Sequence, residues 1–302
     1  MAFVSMESKV RSLSRKICNG LAKSPALHWG KHHWELNQKN RDLPLTKIGK
    51  IQVGLYIILK DYAVGDFPPK FEDQTKAYEA EINSHFNIPG RLAEVNLMHE
   101  MRKPFWFSYG IPYIKDFLFL IESFRRCSIR PNSKILELGC GSGWMSEFFA
   151  LMGFSVFAST ISEYDIQQVE KRIASLDSKQ IPFNLRCCSA PMESVDKILK
   201  DELPFDVVVV YEALHHAYDW QKTLEAAYAS LENGGWFFIC KEPNVMHTFV
   251  SYRLAKITNT HEIGMSRQEL ESYLSNIGFQ KIIHLKHKFN WLFNAHWIAA
   301  QK

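Results

Sequence analysis

The stretch ILELGCGSGWMSEFFALMGF, Ile135 to Phe154, constrains the fold more than any other part of the chain. An apolar run of strand type meets glycines at 139, 141 and 143, and a helical pattern follows at once. Glycine at alternate positions permits positive φ and removes the β-carbons that would hold a ligand away from the backbone. A helix starting there points unpaired amides at whatever the turn holds, which favours an anion or a carboxylate. Either a ligand or a bare tight turn must account for the three glycines.

From residue 131 the chain alternates strand and helix. The strands are expected at Lys134–Leu138, Ser155–Ser159, Asn184–Cys188, Asp206–Val210 and Trp236–Cys240. Helices are expected near Trp144–Leu151, Tyr164–Leu176, Val195–Lys200 and Trp220–Leu231. The unbroken apolar run of FDVVVVYE suits a strand covered on both faces. The alternation argues for a parallel, doubly wound sheet. Ligands of such sheets bind at the carboxyl ends of the strands, near the point where strand order reverses. A helix over Ser266–Ile277 follows, with Ser266 as cap and Glu269 three residues on. Gln280–Phe289 and Ala295–Ala300 then suggest an antiparallel C-terminal hairpin. The expected fold is therefore α/β: a Rossmann-like doubly wound sheet, mostly parallel, with an N-terminal helical extension over 1–95 and the sheet domain over 96–302.

The extension has its own character. Residues 1–60 carry eleven basic and three acidic side chains, a surplus of eight, against a net charge of +4 for all 302 residues. Such a leader suits an acidic partner, a membrane surface, nucleic acid or simple solvation. Val10, Leu13, Ile17 and Leu21 share one helical face, as in a transit peptide, a membrane-surface helix or a helix docked on its own domain; docking is the expectation. FEDQTKAYEAEINSHF and YIKDFLFLIESFRRC read as further helices. IQVGLYIIL is too short to span a bilayer. The cysteines at 18, 127, 140, 187, 188 and 240 form no CxxC, so reduced thiols and a cytoplasmic location are expected. HWGKHHW (His28 to Trp34) lacks an acid or cysteine partner at ligand spacing, and no metal is expected.

A dinucleotide turn would read G-x-G-x-x-G, but Trp144 stands at the sixth position; a P-loop would end in Gly-Lys-Ser/Thr, which is missing. The pattern is an acid, Glu137, inside the strand, followed by G-x-G-x-G. Here the chain resembles the class I S-adenosylmethionine-dependent methyltransferases, whose first motif has this form. PFDVVVVYEALHHAYDW resembles their fourth-strand signature, and LENGGWFFICKEP their following turn and fifth strand, with Asn233 where the family often has proline. ELESYLSNIGFQKI resembles their late helix. The resemblance covers residues 105–302. GSGWMSEF is most similar to stand-alone bacterial enzymes of the type 11 kind, some linked to sugar or polysaccharide modification. Two departures stand out. Thr160 occupies the usual place of the acid that binds the ribose hydroxyls, with Glu163 or Asp165 as substitutes from the next turn. Ser189-Ala190 replaces the usual Asp-Ala beside the adenine.

The resemblance implies a cofactor, S-adenosyl-L-methionine, held by Glu137, Gly139, Gly141, Gly143, Thr160, Ser189, Ala190 and Tyr211. It places His215, His216 and Glu212 as catalytic candidates, with His216 preferred as the base that takes a proton from a hydroxyl. Glu242 either binds substrate hydroxyls or pairs with a lysine. Trp106 and Tyr109, in KPFWFSYGIPY, are lid candidates. The expected activity is methylation, at oxygen, of a small-molecule or carbohydrate-like acceptor. No Asn/Asp-Pro-Pro-Tyr follows the fourth strand, which argues against an amino-methylating enzyme of nucleic acid or protein. Two alternatives remain: a non-catalytic binding or scaffold protein of the same fold, and an enzyme brought to an acidic surface by its basic leader.

Overall fold

The computed structural model describes residues 2–69, 71, 73–107, 110–286 and 294–302, with side chains from residue 11 onward. Six helices come first: α1 (Ala2–Ala22), α2 (His28–Lys39), α3 (Lys47–Val64), α4 (Gln74–Phe86), α5 (Ala93–Arg102) and α6 (Gly110–Arg126). Then follow β1 (Lys134–Leu138), α7 (Trp144–Leu151), β2 (Ser155–Thr160), α8 (Glu163–Ser178), β3 (Asn184–Ser189), α9 (Val195–Ile198) and β4 (Phe205–Tyr211). The chain closes with α10 (Trp220–Ser230), β5 (Leu231–Glu242), α11 (Val245–Thr258), α12 (Arg267–Ile277), β6 (Lys281–His284) and β7 (His296–Gln301). Residues 287–289 of the expected hairpin lie outside the described residues.

The strands form one seven-stranded sheet in the order β3-β2-β1-β4-β5-β7-β6. The first five are parallel, and β7 runs antiparallel to both β5 and β6. Strand order reverses between β1 and β4, which places the ligand crevice at their carboxyl ends. The valines of β4 explain its central position. Val208 and Val210 join the apolar layer on one face of the sheet, Val207 and Val209 the layer on the other, and all four are fully buried. Ser266 caps α12 through its side chain, which accepts from the Glu269 amide, as the sequence predicts.

The chain divides into two compact units, Met1–Leu92 with Val245–Gly264, and Ala93–Asn244 with Met265–Lys302. The sequence reading kept residues 245–264 in the sheet domain, but α11 belongs with the N-terminal helices. Its backbone passes so close to α3 that a β-carbon on Gly54 would lie 2.0 Å from the Phe249 carbonyl oxygen. Tyr252, fully buried, donates to Asp61 Oδ2 at 2.8 Å, and Arg253 donates to the carbonyls of Arg41 and Leu43. These contacts join residues about two hundred positions apart, beyond the reach of any local pattern.

The expected docking of the apolar face of α1 is corrected by the structure. Leu13, Ile17 and Leu21 are 61, 54 and 48% exposed. The helix packs on α3, and its buried and half-buried side is the small one, Ser14, Cys18 and Ala22. Val10 is among the residues whose side chains are not described. IQVGLYIIL lies within α3, and among the described residues no helix is long and apolar enough to cross a membrane. All six cysteines are free thiols.

Candidate active site

The turn between β1 and α7 takes the conformation its glycines permit. Gly139, Gly141 and Gly143 have φ of 64, 51 and 73°, in the left-handed region. Their reasons differ. A β-carbon on Gly139 would meet Ala213 Cβ at 2.7 Å, so β1 and the loop after β4 touch at the switch point. One on Gly143 would meet Val169 Cγ2 at 2.6 Å, so this glycine brings α7 onto α8. Gly141 has no neighbour within 4 Å of such an atom and faces open space. At Gly141 the positive φ, and no packing contact, calls for glycine, and the space beside it is open. Beside it Ser142 is buried, and its Oγ has no partner among the described residues.

Glu137 lies buried beneath this turn, where its carboxylate accepts from the Ser146 hydroxyl in the first turn of α7. Burial raises its pKa to about 7, against the opposing pull of the Ser146 hydroxyl and amide. Its observed partners are those of a strand-end acid that braces the helix start.

The ends of β2 and β3 form the next wall. Thr160 is buried, its carbonyl accepts from Ala190 N at 2.9 Å, and its Oγ1 accepts from Ser162 N at 3.4 Å. Of the two substitutes for the ribose-binding acid, Glu163 is exposed and Asp165 is buried. Asp165 also lies near enough to the turn for its charge to raise the Cys140 thiol pKa, after burial itself. One turn further along α8, Gln168 is buried with Nε2 unpartnered among the described residues. Gln168 belongs to no sequence motif, and its place one residue before the Val169 that packs on Gly143 is the signal that marks it. Ser189 is exposed at the strand end, whereas Ala190 is buried with its methyl in the apolar core and its amide already bonded.

The ends of β4 and β5 carry a cluster of polar side chains. Tyr211 OH donates to Asp116 Oδ2 of α6 at 2.9 Å and accepts from Lys241 Nζ at 3.1 Å. Burial, then the Glu212 and Asp116 charges, push the phenol far above its ordinary pKa, so it stays protonated. Glu212 and Lys241 are both non-glycine residues at positive φ, 50 and 58°, and they pair at 3.3 Å. Conformations of this kind gather at functional sites. Lys241 Nζ also sits 5.1 Å from the centre of the Tyr113 ring.

Glu242, expected to bind substrate hydroxyls or to pair with a lysine, has other partners among the described residues. It is fully buried and accepts the amides of Ala213, Leu214 and His215 at 2.8, 3.0 and 3.2 Å. Its Oε2 is 2.9 Å from His215 Nδ1. Burial alone would raise its pKa, but His215 and the backbone amides outweigh that and hold the carboxyl below its usual value. The lowered carboxyl and the His215 ring nitrogen thus form one buried hydrogen-bonded pair that fixes the orientation of the imidazole. His215 is buried and His216 half-buried, with ring centres 4.0 Å apart.

Of the lid candidates, Tyr109 lies outside the described residues. Trp106 is half-buried, edge-on to His99 and under the Arg102 guanidinium at 5.2 Å. The segment before it is tied to the glycine turn by Arg172 of α8, another residue the sequence reading missed. Arg172 Nε donates to the Ser142 carbonyl at 2.7 Å, Nη2 to the Lys103 carbonyl at 3.0 Å, and Nη1 pairs with Glu147. The histidine-rich segment lies in α2, where Trp34 enters the core of the first unit.

The chain is similar to known proteins. A family profile described as a methyltransferase domain matches residues 114–285. The chain is 27% identical over 219 residues to the mitochondrial ubiquinone biosynthesis O-methyltransferase of Rattus norvegicus, covering 68% of this chain and 59% of that protein's length. It is also 27% identical over 214 residues to the ubiquinone biosynthesis O-methyltransferase of Hydrogenovibrio crunogenus, covering 66% of this chain and 84% of that protein. Among solved structures, magnesium protoporphyrin IX methyltransferase from Synechocystis PCC 6803 superposes with a TM-score of 0.52 at 12% identity, over 78% of this chain and 99% of that one, which shows a shared fold.

Proposed function

Because the chain belongs to the class I S-adenosylmethionine-dependent methyltransferases, we propose that it methylates a hydroxyl on a small ring-bearing acceptor, at the cleft between the carboxyl ends of β1 and β4. The similarity to two ubiquinone biosynthesis O-methyltransferases supports oxygen as the acceptor atom and a small molecule as the substrate class.

S-adenosylmethionine supplies an electrophilic methyl group on a sulfonium. The residues present fit it. Gly141 leaves open space at the helix start, and Ser142 Oγ and Gln168 Nε2 are buried polar atoms that a ligand would satisfy. The open turn beside these orphaned atoms is the observation that carries the reading. Thr160 and Asp165 are assigned to the ribose side, Asp165 for its burial and its nearness to the turn.

The acceptor must lose a proton as its oxygen is methylated. His216 is assigned as the base, with His215 as its positioning residue, held by Glu242 and lying ring to ring with it. Most of the remaining acceleration comes from holding acceptor oxygen and methyl carbon in line. Glu212 and Lys241, facing each other at the strand ends, are assigned to acceptor orientation.

The test is titration calorimetry with S-adenosylhomocysteine, then transfer of an isotopically labelled methyl group to a catechol and, separately, to a sugar. Binding with transfer to the catechol supports the reading; transfer to the sugar alone reverses the acceptor class. Binding without transfer to any acceptor identifies a non-catalytic relative, and no binding at high micromolar ligand overturns the site. With a working acceptor, His216→Ala is expected to lower kcat by about a hundredfold or more with little change in affinity for S-adenosylhomocysteine.

A further inference from the structure

The outward side of α1 is an unusual surface for a packed helix. Leu13, Ile17 and Leu21, spaced four residues apart, form a continuous apolar stripe that the fold leaves uncovered. The helix is inverted relative to an ordinary surface helix, whose apolar stripe faces the core. Here the small side chains Ser14, Cys18 and Ala22 pack inward. A stripe retained against solvent marks an interaction surface rather than a packing need.

The charges of the described side chains along the stripe are of one sign. Residues 11–24 contain Arg11, Arg15, Lys16 and Lys23 and no acid. Lys16 stands three residues from Leu13, on the adjoining face, and both Lys16 and Lys23 are exposed. Two cavities open beside the helix. One, of about 460 Å³, is lined by Arg11, Arg15 and Lys16; the other, of about 600 Å³, by Lys23, Lys31 and Lys60. The described lining of neither includes a carboxylate. The family match begins at residue 114, so this surface lies outside it.

We propose that α1 docks on an anionic lipid surface, with Leu13, Ile17 and Leu21 entering the headgroup region and the flanking lysines and arginines meeting lipid phosphates. The combination selects the partner. A nucleic acid would satisfy the basic residues but not bury the stripe, and an apolar protein groove would bury the stripe but not neutralise its flanks. A bilayer interface with anionic headgroups does both. The inference is independent of the acceptor and of the catalytic assignments.

The experiment is flotation of the full chain with vesicles of phosphatidylcholine mixed with phosphatidylglycerol, and with vesicles of phosphatidylcholine alone. Binding to the mixed vesicles only, weakening as salt rises, is expected. Leu13→Ser with Ile17→Ser is expected to weaken that binding by about tenfold or more, and Lys16→Glu with Lys23→Glu similarly. All four positions are exposed, so both double variants should keep the thermal unfolding midpoint of the parent. The proposal is overturned if the apolar double variant floats as well as the parent. It is also overturned if the protein binds a single-stranded oligonucleotide but neither vesicle, or if the parent sediments as a dimer that Leu13→Ser with Ile17→Ser converts to a monomer.

Discussion

Glu137 and Glu242 are both buried carboxylates at the carboxyl end of the sheet, yet their surroundings drive them in opposite directions. Glu137 has Ser146 as its bonding partner and is raised from 4.5 to about 7. A raised acid binds its proton more tightly folded than unfolded. Stability is therefore full below the unfolded value and declines as pH rises from 4.5 towards 7. The decline should amount to no more than about 3.5 kcal/mol at about 1.4 kcal/mol per pH unit. Urea midpoints measured from pH 5 to 8 should fall in the parent and stay level in Glu137→Gln; an equal slope in both would show that another group titrates. Glu242 is lowered, so its contribution is present above the unfolded value and lost in acid. Glu242→Ala would strand three amides and an imidazole in a dry site, with an expected cost of about 3–5 kcal/mol. Denaturant unfolding at pH 7 measures it, and a loss below about 1 kcal/mol would mean that water replaces the carboxylate.

At the scale of elements, the glycine turn separates binding from packing. Gly141→Ala meets no neighbour and carries only the cost of a side chain at positive φ, about 1–2 kcal/mol. It should fold and yet lose most of its affinity for S-adenosylhomocysteine, which calorimetry reads directly. Gly143→Ala should instead destabilise by about 1–3 kcal/mol on top of the same backbone term, because its new methyl meets Val169 between α7 and α8. Adding Val169→Ala removes the colliding carbon and should recover part of that loss. A double-mutant cycle with no coupling would place the collision elsewhere.

For the whole molecule, the two units respond to different perturbations. S-adenosylhomocysteine at a hundred times its Kd should stabilise the protein by about 2.7 kcal/mol, seen as a higher denaturant midpoint. Gly54→Ala, which forces a β-carbon against the α11 backbone, should destabilise the first unit while leaving the affinity for that ligand unchanged. The sheet that carries the site was legible because its signals are local. The Val207–Val210 run, the glycines after β1 and the Ser266 cap each state their structure within a few residues. The position of the cleft followed from the alternation of strands and helices. The membership of α11, the bond from Tyr252 to Asp61 across 191 positions, and the bracing of the turn by Arg172 were not legible. Nor was the use of Glu242, which the chain brings to the histidine turn from 27 positions away. By itself the sequence determined which segments become strands and helices and where a backbone is bare enough to meet a ligand, since propensity and periodicity act over a turn or two. Only the tertiary structure decided which partner each buried acid meets and that the apolar face of α1 stays outside, because burial and pairing depend on neighbours that the chain brings together from far apart.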